Sequence, residues 1–344
     1  MQKYLFLLLL ILTGLSLKAQ TKDAPWSTRS LAADAINKVD INTSGGSISV
    51  MGVDAASSRI EVYVQPNNRR NDETISKEEI EERLKAYDLI ISVSNNKVIA
   101  SAKPKENNLD WRKALSISFK VFVPQQVSTS LNTSGGSIHL ENLSGTQDFT
   151  TSGGSLHIHQ LSGITKGRTS GGSIHVSNTR DFVELSTSGG SIQAQNCMGT
   201  LALSTSGGSL NLNALQGVIK ATTSGCSVMG NNIDGELSTA TSGGSISLTG
   251  LTCSLEASTS AGRIDVTMLK LSKYVRLHNS GGNIDLKVPA VNMDLQLTGS
   301  RVRSGTLKNF DGRIDDDEIS GKLNGGGTPV SVRANSGMVS FSMQ

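Results

Sequence analysis

The chain has 344 residues and a formal net charge of +3; aromatic residues make up only 4%, whereas glycine contributes 36 residues. Charge this small, spread along the chain, leaves no basic stripe that could follow a phosphate backbone, so nucleic acid is excluded as an expected partner. The scarcity of Phe, Trp and Tyr argues against a globular core built on large side chains. The composition instead favours thin layers of Ile, Leu and Val.

The first residues have the pattern of a secretory signal. Lys3 precedes an apolar run over residues 4–12, and Ala19 supplies a small residue at a cleavage site. The run is too short to span a membrane. We therefore expect a signal peptide over residues 1–19 and an exported mature chain, in the periplasm or at the cell surface, with no integral membrane span after signal removal.

The phrase Thr-Ser-Gly-Gly-Ser-Ile first occurs at residues 43–48, and its next copy starts at Thr133, 90 residues later. Alternating apolar residues in between predict strands over residues 59–65, 89–94, 98–102 and 115–123. Ser76 and Glu79 form a capping box that opens a charged helix with Ile80, Leu84 and Tyr87 on one side. We expect this excursion to cap the first edge of the repeats that begin at Thr133.

From Thr133 the phrase recurs every 18 residues. It begins at Thr133, Thr151, Thr169, Thr187, Thr205, Thr223, Thr241 and Thr259. A fixed period this short is typical of stacked units that cannot bury an apolar face alone. Each unit is called a rung here, and its first Thr is position 1.

Within a rung, positions 6 and 8 are apolar and flank a polar position 7, which indicates a strand with one buried face. Glycine recurs at positions 4 and 13, so the rung divides into two halves, each with a corner and a short strand. We expect glycine to supply a positive φ at both corners. Stacked Ser and Thr of the phrase should then exchange hydrogen bonds and leave a hydroxyl-rich ridge.

These patterns predict an all-β fold, a parallel β-solenoid (β-helix) of 18-residue rungs with two short strands per rung. An N-terminal β-rich cap contains one short helix. The predicted divisions are the signal peptide over residues 1–19, the first rung plus capping excursion over 20–130, and the solenoid with C-terminal closing strands over 131–344. We expect a monomer.

The chain resembles a bacterial family of putative adhesins, exported β-strand-repeat proteins of unknown function. The resemblance is carried by Phe-Lys-Val-Phe-Val-Pro at residues 119–124, the Ser-Gly-Gly-Ser-Ile rungs, and Asn-Gly-Gly-Gly-Thr-Pro-Val at residues 324–330. It implies a parallel β-solenoid on the cell envelope. It supplies no catalytic residues and no cofactor.

A histidine column is the sharpest local feature. Position 7 is His139, His157 and His175 in three consecutive rungs, with His159 two residues beyond His157. Imidazoles stacked about 4.8 Å apart could share a transition-metal ion through their nitrogens. The alternative interpretation is an exposed polar face without a ligand.

The three cysteines, Cys197, Cys226 and Cys253, fall in different columns of the repeat. We expect buried or half-buried fillers, the alternative being one strained bridge. Calcium-binding β-roll repeats need Asp beside the glycines. Here those positions carry Ser, Ile and Leu, so calcium-dependent folding is not expected.

The acidic run at residues 315–318 is interpreted as a solvated loop, with a cation site as its alternative.

For function, the sequence predicts a non-enzymatic binding or scaffold protein of the cell envelope that presents a repetitive solenoid surface to an envelope protein or glycan. Two alternatives remain open, a periplasmic envelope-sensing partner and a carbohydrate-active β-helix enzyme. Such an enzyme needs converging carboxylates, or a base beside a bound cation, and acidic residues are thin between Thr133 and Thr259.

Overall fold

The computed structural model describes residues 24–67, 76–106 and 112–344. The predicted signal peptide over residues 1–19 lies outside the described residues. Strands make up nearly all of the regular structure, and the fold is the predicted parallel β-solenoid. The predicted division at residues 19 and 130 stays a prediction.

The N-terminal part contains β1 (Ser27–Ser30), β2 (Lys38–Thr43), β3 (Ile48–Val53), a 3-10 turn (Ala55–Ser57), β4 (Arg59–Pro66), α1 (Lys77–Leu84), β5 (Tyr87–Ser94), β6 (Lys97–Pro104) and β7 (Leu115–Pro124). The central rungs contain β8 (Ser128–Thr133), β9 (Ile138–Thr151), β10 (Leu156–Thr169), β11 (Ile174–Ser177), β12 (Arg180–Thr187), β13 (Ile192–Gln195), β14 (Met198–Thr205), β15 (Leu210–Thr223), β16 (Val228–Thr241) and β17 (Ile246–Thr259). The C-terminal part contains β18 (Ile264–Asn279), β19 (Ile284–Val288), β20 (Met293–Thr298), β21 (Arg301–Ser304), β22 (Phe310–Ile314), β23 (Glu318–Leu323), β24 (Thr328–Ala334) and β25 (Met338–Met343).

Successive rungs pair in parallel with an offset of 18 residues. Leu156 of β10, for example, lies between Ile138 of β9 and Ile174 of β11. We call the strands at positions 6–9 the front wall, and those at positions 14–18 and the following position 1 the back wall. In β9, β10, β15, β16 and β17 the two walls are joined by one strand that continues around the corner.

The space between the walls is filled by apolar side chains that repeat from rung to rung. Ile138, Leu156, Ile174 and Ile192, all at position 6, are 0–1% exposed. Full burial of one such side chain contributes about 1.5–3 kcal/mol. Because a rung alone leaves this row open on both sides, the stack is the smallest unit that buries it.

The two glycine columns have different roles. Position 13 has the expected positive φ, for example 119° at Gly145 and 120° at Gly217. The glycines at position 4 do not have a positive φ, so the expectation of a positive φ at that corner was wrong. A Cβ at Gly190 would lie far inside the van der Waals radius of the carbonyl oxygen of Gly172, one rung away. Position 4 therefore needs glycine because neighbouring backbones touch.

The threonine at position 1 is buried and joins each rung to the next. Thr151 Oγ1 donates to the carbonyl of Gly136 at 2.7 Å and accepts from the amide of Gly154 at 3.2 Å. The hydroxyl-rich ridge that we expected on the surface therefore does not include the threonines of the phrase. Serine at position 5 does form the predicted ladder, since Ser137 Oγ accepts from the amide of Ser155 at 3.1 Å.

Both ends of the solenoid are closed by strands that insert out of chain order. At the N-terminal end, β2 and β3 lie between β6–β7 on one side and β8–β9 on the other. At the C-terminal end, β24 and β25 lie between β18–β19 and β20–β21. The outermost rungs are then covered by antiparallel strands, β4 and β5 at one end and β23 at the other.

The predicted helix is α1, and Ser76 is its N-cap, accepting a hydrogen bond from the backbone N–H of Glu79. Tyr87, which we expected on one side of this helix, instead begins β5.

The three cysteines are free, and both Cys197 and Cys253 are buried, as predicted. Burial raises the pKa of the Cys253 thiol to about 12. That thiol is therefore protonated and unreactive at neutral pH.

We expect Gly190→Ala to lower the free energy of unfolding by about 1–3 kcal/mol, because its methyl group meets the backbone of Gly172. The matched control is Gly189→Ala at position 3, where a Cβ would lie 3.6 Å from its nearest neighbours and where Ala261 occurs naturally. Cys226 at position 4 shows that one such side chain is tolerated. Urea unfolding measures both variants, and equal stability would contradict the steric account.

Two buried threonines should respond oppositely to valine. Thr165 is 0% exposed, and its hydroxyl has no hydrogen-bond partner in the described part of the chain. Thr165→Val, which copies Val183 in the next rung, should raise the free energy of unfolding by about 1 kcal/mol. Thr151→Val should lower it by about 1–3 kcal/mol, since it removes the bridge between rungs. Thermal and urea unfolding test the pair, and a shared sign would refute it.

Candidate functional site

The predicted histidine column is present on the outer side of the front wall. His157 pairs in register with His139 of β9 and His175 of β11. The His157 and His175 rings are stacked, with centroids 5.2 Å apart and planes 3° apart, and the His139 ring lies tilted 6.4 Å from His157. Glu141, two residues after His139, approaches its Nε2 at 3.3 Å.

Stacked rings present parallel edges, so their nitrogens do not converge on one point as a metal ion requires. In the described ranges, no group of three or more His, Cys, Asp or Glu side chains is arranged to hold a metal ion. His159 instead approaches Ser177 Oγ through Nδ1 at 3.0 Å. Metal binding by His139, His157 and His175 stays a prediction.

Crowding in this column changes the acidity of its central member. Burial of the ring, followed by the neighbouring imidazoles of His175 and His139, lowers the pKa of His157 below its ordinary value of 6.5. The neutral form of His157 is therefore favoured, in which its ring both donates and accepts a hydrogen bond.

Beside the histidines, a groove of about 350 Å³ crosses three rungs at the corner between the walls. It is lined by Gln125, Asn142, Leu143, Ser144, Gln160, Leu161, Ser162, Asn178 and Arg180. These residues come mainly from positions 10–12, where the chain turns from the front wall to the back wall. Amide, hydroxyl and guanidinium groups dominate the lining, so the groove offers hydrogen bonds more than apolar contact.

Position 10 shapes this corner. Asn142, Gln160 and Asn178 have positive φ values of 55°, 55° and 53°. Asparagine tolerates this left-handed conformation better than most residues, and the repeat uses it at Asn196 and Asn232 as well. The asparagine column is the sequence signal for a corner at position 10, which the predicted corners at positions 4 and 13 did not include.

One rung departs from the repeat at the groove. Positions 11, 12 and 13 carry Thr179, Arg180 and Asp181, where the two preceding rungs both have Leu, Ser and Gly. Asp181 keeps the positive φ of the replaced glycine, at 78°, and its carboxylate accepts from the amide of Gly163 at 2.8 Å. Such breaks in an otherwise regular pattern are expected at functional or strained positions.

Further along the front wall, the outward side chains are amides in register. We call Gln193, Gln195, Asn211, Asn213 and Asn231 the amide face. Gln193 pairs with Asn211, Gln195 with Asn213, and Asn213 with Asn231. Apart from Asn231, which accepts from Thr249 Oγ1 at 3.2 Å, these amides make no side-chain hydrogen bond to the described residues. They are free to meet a ligand.

A histidine whose pKa is lowered by folding binds fewer protons in the folded chain than in the unfolded one. The free energy of unfolding therefore falls as pH drops below 6.5. We expect His157→Gln, which copies Gln193 in the same column, to lose less melting temperature than wild type between about pH 7.5 and 5. His278→Gln is the control, since His278 has no histidine ring contact among the described residues. An identical loss in His157→Gln and wild type would contradict the interpretation.

Comparison with solved structures finds similarity over most of the chain. A putative cell adhesion protein from Clostridium sporogenes ATCC 15579 is 9% identical, with 92% of this chain and 98% of that chain covered and a TM-score of 0.19. A putative adhesin from Bacteroides fragilis NCTC 9343 is 14% identical, with 92% and 96% covered and a TM-score of 0.24. No curated protein matches significantly.

No helix in the described part of the chain is long and apolar enough to cross a membrane.

The family described as Toastrack DUF4097 matches residues 167–341, just over half of the chain. The match takes in most of the rungs, the amide face and the C-terminal closing strands. This chain therefore belongs to the Toastrack DUF4097 family.

Proposed function

We propose that this protein is a non-enzymatic binding protein of the cell envelope, and that its amide face holds an extended polysaccharide. The observation that carries the proposal is the register of the amide face. Gln193, Gln195, Asn213 and Asn231 are exposed, lie on one wall, and repeat from rung to rung.

The spacing of the amide face suits a polymer. Adjacent rungs are separated by about 4.8 Å, and side chains two residues apart on one strand by about 6.6 Å. Each amide offers a donor and an acceptor side by side, and a sugar ring offers neighbouring hydroxyls that do the same. A linear glycan laid along the stack meets the same chemistry at each rung, so many weak contacts add.

The proposal is non-enzymatic because side-chain amides do not titrate near neutral pH. General acid and base catalysis needs groups that titrate close to the working pH, which Gln and Asn cannot supply. The envelope location rests on the signal sequence expected over residues 1–19 and on the family resemblance. A second copy of the chain is not required, since one solenoid presents the whole amide face.

The test is retention of the mature chain, residues 20–344, on purified envelope polysaccharides. We expect wild type to be retained and the double variant Gln195→Ala/Asn213→Ala to bind at least about tenfold more weakly, since two ligand hydrogen bonds are lost. The matched control is Ser204→Ala/Thr222→Ala, which removes outward polar groups from the back wall.

Equal binding by both double variants would contradict the assignment to the amide face. Absence of retention on every envelope polysaccharide would contradict the proposed function itself. Release of shortened glycan products would instead favour an enzyme. Product analysis by mass spectrometry should therefore accompany the binding assay.

A further inference from the structure

We propose that the groove at positions 10–12 binds a carboxylate-bearing sugar unit of an acidic polysaccharide, and that Arg180 pairs with the sugar carboxylate. The inference rests on the proposed function and names the ligand class for a second part of the same surface. The groove volume of about 350 Å³ falls within the range of small-ligand sites, about 300–1,000 Å³.

Arg180 is the cation of the groove. Its side chain is exposed and forms no hydrogen bond or ion pair within the described chain. The nearest acid in sequence, Asp181, is held by the amide of Gly163 at 2.8 Å. A guanidinium presents a planar set of donors that matches a carboxylate with two parallel hydrogen bonds. Arg180 is thus placed to bind an anion from outside the protein.

The register of the repeat shows that Arg180 is not required by the fold. Ser144 and Ser162 occupy the same position in the two preceding rungs, and Met198 pairs with Arg180 in the next. A serine or a methionine serves the corner equally well. The arginine therefore needs an explanation outside folding, and the groove beside it supplies one.

The remaining lining groups favour a sugar over an acidic peptide. Gln160 and Asn178 are exposed amides, and Ser162 adds a hydroxyl without a partner in the described ranges. These neutral groups match the ring hydroxyls of a sugar, which an acidic peptide lacks. Asn142 is already committed, since it donates to the carbonyl of Gly52 at 2.9 Å, and forms a fixed end of the groove.

The groove also continues the surface that carries the amide face. His159 lies at its edge, with Nδ1 3.0 Å from Ser177 Oγ and 3.5 Å from the side-chain nitrogen of Asn178. Asn178 and Gln195 are neighbours across adjacent rungs, since the backbone N–H of Asn178 donates to the backbone carbonyl of Gln195 at 3.1 Å. One glycan chain can therefore contact both the groove and the amide face.

Calorimetric titration of the mature chain with defined trisaccharides tests the inference. The probes are galacturonate, glucuronate and mannuronate trisaccharides, the neutral galactose trisaccharide, and a tri-glutamate peptide. We expect at least one uronate to bind, and Arg180→Gln to weaken that binding at least about tenfold, with galactose binding changed less than twofold. Arg180→Lys should recover only part of the affinity, because a lysine cannot make the paired hydrogen bonds.

Arg168→Gln is the matched control, an exposed arginine on the back wall away from the groove, and it should leave every affinity unchanged. Unchanged melting temperatures establish that the variants fold. Failure of all three uronates to bind, wild-type affinity in Arg180→Gln, or equal binding of the tri-glutamate peptide would each overturn the inference. Polysaccharide retention that remains sensitive to Gln195→Ala/Asn213→Ala would then leave the proposed function standing, which separates the two failures.

Discussion

The contact between neighbouring backbones at position 4 is the constraint on which the rest of the structure depends. The glycines there lie so close that a Cβ on one would overlap the carbonyl of the next, as at Gly172 and Gly190. The buried threonine at position 1 closes the same contact with two hydrogen bonds, one to each rung. This contact repeats at the spacing of a parallel β-sheet, so it fixes the register of both walls together.

From Thr133 to Thr259 the corner at positions 1–4 is nearly constant, with Cys226 at position 4 and Ala261 at position 3 as exceptions, and most of the variation lies at outward positions. Positions 7 and 9 carry the histidine column and the amide face, and the polar side chains at positions 10 and 12 line the groove. The scaffold can accept different side chains there without disturbing the apolar layers between the walls. Arg180 and Asp181 illustrate this freedom, since they replace Ser and Gly while β12 still pairs with β10 from Phe182 onward and with β14 from Arg180 onward.

A solenoid this regular also has two open edges, and unpaired edge strands attract further strands. Here β2–β3 and β24–β25 are enclosed between other strands rather than left outermost. Antiparallel strands then cover the true ends. At both ends the parallel stack thus meets antiparallel strands of the same chain, and the long walls remain as the surfaces available to partners.

The sequence by itself determined the solenoid, because an 18-residue period with alternating apolar positions admits few other ways to bury Ile138, Leu156 and Ile174. It also predicted the histidine column, the helix α1 and the free cysteines, since each follows from local pattern. It could not show that the phrase threonines are buried, because their partners are carbonyls one rung away. Only the tertiary structure decided that position 4 is a backbone contact, that the terminal rungs insert out of order, and that Arg180 lies in a groove. Each of these depends on distances between residues that are far apart in the sequence, and the pattern of residues along the chain does not contain those distances.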